Sequence, residues 1–159
     1  MKNEDKKYRL LEDEYVEFYE TRFYRIEAVK DFGDVKKGDK GGFVEIEKNL
    51  SHDGNAWVYG NATVRGNATV YGNATVYGSN DILTASYIGS RAGTTTAFRT
   101  SDGGVGVKCG CFYGTLKEFA DRVEEVHGKN KYGKEYKAFI EMCKTHFEIE
   151  EEDENNAER

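Results

Sequence analysis

The sequence predicts a mainly β protein with a smaller α-helical part, organised around a short coil of repeated strand segments. Three observations predict it. Over residues 54–78 one six-residue phrase is written four times, as GNAWVY, GNATVR, GNATVY and GNATVY. Before the repeat, aromatic and β-branched residues crowd a stretch with strand-like alternation. After it, two segments carry apolar residues at helical spacing.

The repeat sets the centre of the fold. Valines 58, 64, 70 and 76 fall six residues apart, Ile82 extends the series, and alanines 56, 62, 68 and 74 sit two residues before each valine. A period of six suits neither an α-helix nor a plain strand. It suits three short flat sides, each turning one aliphatic and one small residue inward. Asn and Gly take the corners, where a left-handed backbone is needed. A stack this short requires caps or a second subunit to cover its ends.

In this pattern an aliphatic residue is followed four positions later by a small one: Val58 by Ala62, Val64 by Ala68, Val70 by Ala74. It resembles the hexapeptide repeat of left-handed parallel β-helices. The resemblance implies a short left-handed parallel β-helix over residues 48–84. It leaves activity open, since that repeat occurs in acyltransferases as well as in binding and structural proteins. The transferases usually rely on a histidine, and none lies inside the repeat; His52 just precedes it.

Residues 1–47 read as an N-terminal β cap. EYVEFYE and RFYRIEAVKDF predict a β-hairpin turning near Glu20 and Arg22, and the glycines of residues 38–42 predict a second turn. Val44 and Leu50, again six apart, suggest an irregular first coil.

Residues 85–147 read as a C-terminal ββαα unit. The segments TTTAFRT and VGVKCGCFYG are joined by Ser101, Asp102, Gly103 and Gly104, a strong hairpin signal. Thr115 and Glu118 form a capping box. Leu116, Phe119, Val123 and Val126 then make a helical stripe ended by Gly128. The second helix is expected from about Lys134 to Phe147, with Tyr136, Phe139, Ile140, Cys143 and Phe147 inward.

The formal charge is −6, and residues 148–159 hold seven acids against one arginine, so they carry the whole deficit. That segment is expected to be a disordered acidic tail. Generic duplex DNA binding is disfavoured, because it needs a concentrated basic face. No apolar run is long enough for a membrane span, and no secretory leader pattern opens the chain. Three cysteines, two of them in a Cys-Gly-Cys triplet, suggest free thiols in a reducing cytoplasm. In that compartment the NAT triplets at Asn61, Asn67 and Asn73 are repeat chemistry rather than glycosylation sites.

Two constellations carry chemistry. Cys109 and Cys111, two apart on an expected strand, face one way, and His127, Cys143 and His146 lie on the helices. They could supply a tetrahedral zinc site, but the spacer is tighter than zinc motifs use, so core thiols are favoured and no metal or cofactor is expected. The second runs from Gly89, Ser90 and Arg91 through Thr95 and Arg99 to Lys108. Exposed backbone N–H groups, hydroxyls and guanidinium forks are what a phosphate or carboxylate needs. The alternative is a plain turn before a Thr-rich strand. Tyr113 and His127 join as second-rank ligand contacts. Tyr59, Arg65, Tyr71 and Tyr77 are expected in one outer column, an interface for a homo-oligomer, trimer or dimer.

The segment CGCFYGTLKEFADRVEEVHGKNKYGKEYKAFI, with YIGSR before it and YRIEAVKDFGDVKKGDKGGFVE near the start, is similar to small bacteriophage and prophage proteins that also carry central hexapeptide repeats. The resemblance implies a small phage accessory protein in the cytoplasm of an infected bacterium and carries no settled activity. In that setting, and with no catalytic constellation evident, the expected role is non-enzymatic: to counter host defence, by sequestering a nucleotide immune signal in an oligomeric pocket or by binding a host defence protein. A hexapeptide-type acyltransferase is the enzymatic alternative, though the coil is short for an acyl-coenzyme-A groove. A structural adaptor of the virion is a third reading.

Overall fold

A computed structural model describes residues 2–150. The chain runs through strands β1 (Tyr8–Phe18), β2 (Thr21–Ala28) and β3 (Lys40–Val44), then β4 (Trp57–Val58), β5 (Thr63–Val64) and β6 (Thr75–Val76) within the repeat. It continues through β7 (Ile82–Ile88), β8 (Gly93–Arg99), β9 (Val105–Cys109) and β10 (Phe112–Thr115), and ends in helices α1 (Leu116–Val126) and α2 (Lys131–His146).

These strands form several separate sheets, and the expected single parallel β-helix is not formed. One sheet has the order β1-β2-β3-β5, a second β10-β9-β8-β7, and β4 pairs with β6 in a third. Parallel pairing is confined to β3 with β5, β4 with β6, and a bridge between Leu50 and Val70. All the longer ladders are antiparallel. The reason is local. Each strand within the repeat is only two residues long before the chain turns, whereas the flanking segments offer strands of up to eleven residues.

The inward positions of the repeat make a continuous core all the same. Val58, Val64, Val70 and Val76 are at most 1 % exposed, and Ala56, Ala62, Ala68 and Ala74 are buried with them. Gly54, Gly60, Gly66 and Gly72 all adopt positive φ and turn the chain between these positions. Burying each valine contributes roughly 1.5–3 kcal/mol, which is large against the small net stability of a domain.

The first hairpin turns at Tyr19 and Glu20, both with positive φ, and brings Phe18 opposite Thr21. The glycines near residue 40 are not all turn residues. Gly41 and Gly42 lie inside β3, so close to the repeat that a Cβ on Gly42 would sit 2.4 Å from the Ala62 carbonyl oxygen. Asn49, fully buried, ties this region to the repeat. Its amide donates to the carbonyls of Gly66 (3.0 Å) and Ala68 (2.9 Å), while its oxygen accepts the Ile46 N–H (2.9 Å).

The C-terminal unit is a four-stranded antiparallel meander with two helices, not ββαα. Ile82, which continues the six-residue series, opens β7 instead. Alternation along β8 separates two cores: Phe98 packs with the repeat valines, and Ala97 packs with Leu116, Phe119, Val123, Tyr136, Phe139 and Ile140. The Thr115 hydroxyl accepts the Glu118 N–H (3.1 Å) and the Glu118 carboxylate accepts the Thr115 N–H (2.8 Å), completing the α1 capping box. Helix α2 starts earlier than the apolar spacing suggests, because Asn130 caps it by accepting the Gly133 N–H. Of the acidic tail, residues 151–159 lie outside the described residues. Among the described residues no helix is long and apolar enough to cross a membrane.

Candidate ligand-binding cleft

Two turns at the same end of the second sheet frame a cleft of about 730 Å³. One is the β7–β8 connection. The other is the two-residue β9–β10 turn made by Gly110 and Cys111, across which Cys109 pairs with Phe112. Helix α1 adds Phe119, Arg122, Val123 and Val126 to one wall, and the repeat side adds Lys48, Asn67 and Thr69 to the other.

The electrostatics of the lining are one-signed. Lys48, Arg91, Lys108 and Arg122 face the cleft together with the hydroxyls of Thr69, Ser86, Ser90 and Thr94, and among the described residues no lining residue is Asp or Glu. Arg91 and Lys48 have neither a hydrogen bond nor an ion pair among the described residues. Lys108 donates to the Gly110 carbonyl (2.6 Å) and lies over the Tyr71 ring. Among the described residues Arg122 is bridged only by exposed Glu125 at 3.1 Å, a surface pair of small worth.

The floor is a chain of polar contacts. The Thr95 hydroxyl donates to Cys109 Sγ (3.2 Å), and that thiol lies 3.7 Å from the Tyr136 hydroxyl, to which it donates. Burial first, then the contact with Cys109, pushes the Tyr136 phenol up to about 12. Gly89 packs against the Tyr136 hydroxyl. Its N–H donates to the Glu135 carboxylate (2.7 Å), which fastens the β7–β8 loop to α2.

The sequence-derived ligand residues therefore divide. Ser90, Arg91, Lys108 and His127 line the cleft. Gly89 and Thr95 lie beneath it with their polar groups engaged. Arg99 is at the far end of β8 from Gly93, where its guanidinium donates to the Phe147 carbonyl (2.9 Å) and stacks on the Phe147 ring. Tyr113 donates to Asn73 Oδ1 (2.9 Å) and packs edge-on against Tyr71. Arg99 and Tyr113 border a second hollow of about 610 Å³, whose lining mixes Lys117 with Asp102, Glu118 and Glu148.

Nor do the outer tyrosines make one column. Strands β4 and β6 pair with an eighteen-residue offset, Val58 to Val76, so only Tyr59 and Tyr77 superpose, stacked at 4.5 Å. Tyr71 goes to Tyr113, and Arg65 lies over Phe18 and Phe23. Cys111 occupies a turn rather than the expected strand, and Cys143 is wholly buried with its thiol pushed up to about 12 by burial. Among the described residues no group of three or more His, Cys, Asp and Glu side chains is placed to hold a metal ion.

Sequence reasoning missed Lys48, Arg122, Tyr87 and Tyr136 as cleft residues. Lys48 and Arg122 read as ordinary surface charges, and only the tertiary fold brings them to the loop. Tyr87 stood next to the Ile-Gly-Ser-Arg signal and its proximity was a usable clue. A polar network around Lys7 and His52 was also missed. There Lys7, buried, donates from Nζ to the carbonyls of Ala56 (2.7 Å) and Gly54 (3.3 Å). His52 accepts the Lys7 N–H at Nδ1 (3.2 Å), so its proton is on Nε2, facing Glu47 Oε1 at 2.8 Å.

No protein-family model matches this chain, and neither does any curated protein.

Proposed function

We propose that this protein is a non-enzymatic binding protein whose cleft holds a phosphate-bearing small molecule. The observation that carries the reading is the lining itself: four cationic side chains from four separate segments, hydroxyl donors between them, and no carboxylate among the described residues. Converging cations cost stability unless an anion joins them, and guanidinium groups bind phosphate oxygens by paired hydrogen bonds. The setting is the one implied by the resemblance that the sequence carries to small phage proteins. The protein counters a host defence by sequestering a nucleotide signal in the infected cell, as a homo-oligomer. Exposed Tyr77 and the Tyr59 stack beneath it support an interface there.

Binding without turnover fits the arrangement of His52, the histidine nearest the repeat. Both its ring nitrogens are engaged, so neither is available as the base of an acyltransferase. A thermal-shift panel of linear and cyclic nucleotides tests the reading. Stabilisation by members of the panel, and none by the parent nucleosides, is the expected result; no stabilisation by any nucleotide contradicts it.

A second reading is favoured by one observation. The tip of the first hairpin exposes Val16, Phe18 and Tyr19, the last at 88 %. An aromatic tip of this kind suits direct docking onto a host defence protein. Loss of protein capture by Phe18→Ser/Tyr19→Ser, with nucleotide binding intact, would separate the two.

A further inference from the structure

We propose that Tyr87 is the base-recognition platform of the cleft, so that its ligand is a nucleotide held by its ring as well as by its phosphate. This rests on the phosphate-binding reading above and names what that reading leaves open.

Tyr87 borders the cleft, yet its side chain is 85 % exposed. Its backbone has φ of 64°, a left-handed conformation unusual for a bulky aromatic residue. The ladder between β7 and β8 is regular from Ile82 to Ser86, breaks at Tyr87, and resumes with Ile88 opposite Gly93. Such an irregularity re-aims a side chain, and strained backbone of this kind clusters at binding sites. The flanking contacts hold the break in place. The Ser86 and Thr94 hydroxyls bond at 2.9 Å, and Gly89 is fastened to Glu135. Burial does not account for the residue: a side chain this exposed has little packing to offset the strained backbone.

What the conformation does provide is a flat ring on the rim of a cationic cleft that Phe112 and Val126 also line. A phosphate drawn to Arg91 and Lys108 leaves the rest of its molecule at this rim. Stacking on an aromatic ring is the sequence-tolerant way to hold a nucleobase. A sugar phosphate, without a planar ring, gains nothing from Tyr87.

The test compares adenosine and guanosine monophosphates with ribose 5-phosphate by calorimetric titration on the full chain. It uses wild type, Tyr87→Phe and Tyr87→Asn. Asparagine tolerates the left-handed backbone, so the Asn variant is expected to fold at least as stably as wild type. Wild type is expected to prefer the nucleotides, and Tyr87→Phe to retain that preference. Tyr87→Asn should lose nucleotide affinity by roughly ten- to hundredfold, the worth of one stacked base, with ribose 5-phosphate binding unchanged. A Tyr87→Trp variant adds a direct signal, since the chain's own Trp57 is buried: nucleotide, and not ribose 5-phosphate, should quench the new indole. Equal binding of nucleotide and sugar phosphate to wild type, or full nucleotide affinity in Tyr87→Asn, overturns the platform while the phosphate site stands. Failure of wild type to bind any of the three probes overturns the phosphate site and the platform with it.

Discussion

The hydroxyl of Tyr136 fills the space that a side chain on Gly89 would need: a Cβ built there would lie 1.8 Å from the phenolic oxygen. With the hydrogen bond from the Gly89 N–H to Glu135, this contact joins helix α2 to the loop that carries Ser90 and Arg91. The glycine also has φ of +78°, so both space and backbone exclude a larger residue.

Gly89→Ala should therefore shift the loop and not merely strain it. The left-handed backbone alone costs about 1–2 kcal/mol, and the clash adds to it. Amide exchange should quicken over residues 86–93 while the repeat core keeps its protection. Unchanged exchange in the loop would argue against the contact.

Much of the core was legible in the sequence, because burial in the repeat follows a strictly local pattern. Val58, Val64, Val70 and Val76 stand out by spacing alone, and they are buried. Which strands pair was not legible. Closing a coil of two-residue strands depends on partners distant in sequence, and β3 supplied one by lying glycine-first against the repeat. The cleft divides in the same way. The Gly-Ser-Arg loop announces itself, whereas Lys48 and Arg122 reach it only through tertiary packing. Arg99 was grouped with that loop on sequence proximity. A strand advances about 3.3 Å per residue, so six residues of β8 carry Arg99 to the opposite end of the sheet.

Asn49→Asp should be among the most damaging single-atom changes available. It replaces the amide that donates to the Gly66 and Ala68 carbonyls with an oxygen facing both, in a fully buried position. A loss of at least about 2 kcal/mol is expected, read as a lowered midpoint in urea. A change within experimental error would show that this contact does not hold the repeat to its neighbour.

Lys7 couples stability to alkaline pH. Burial lowers its ammonium from 10.5 to about 8, so between those values the unfolded chain binds more protons than the folded one. Stability contributed at this site rises with pH through that window. The stability gap between wild type and Lys7→Met should widen from pH 8 to pH 10, because the neutral amine keeps its two carbonyl contacts without the cost of a buried charge. A gap that narrows would contradict the assignment.

Tyr136 acts in the opposite sense. Its folded-state phenol is raised from 10.0 to about 12, so its contribution is complete below pH 10 and is lost as pH climbs towards 12. Alkaline unfolding should begin later in Tyr136→Phe, relative to each protein's stability at neutral pH. An identical alkaline profile would remove Tyr136 as a cause.

The central claim is that Arg91 and Lys108 hold phosphate. Calorimetric titration of a nucleoside monophosphate into wild type and Arg91→Glu/Lys108→Glu, at low and high salt, tests it most directly. The account predicts wild-type binding that weakens as salt rises, and no measurable binding in a doubly reversed variant that melts within a few degrees of wild type. Equal binding by the two proteins, or wild-type affinity indifferent to salt, would contradict it.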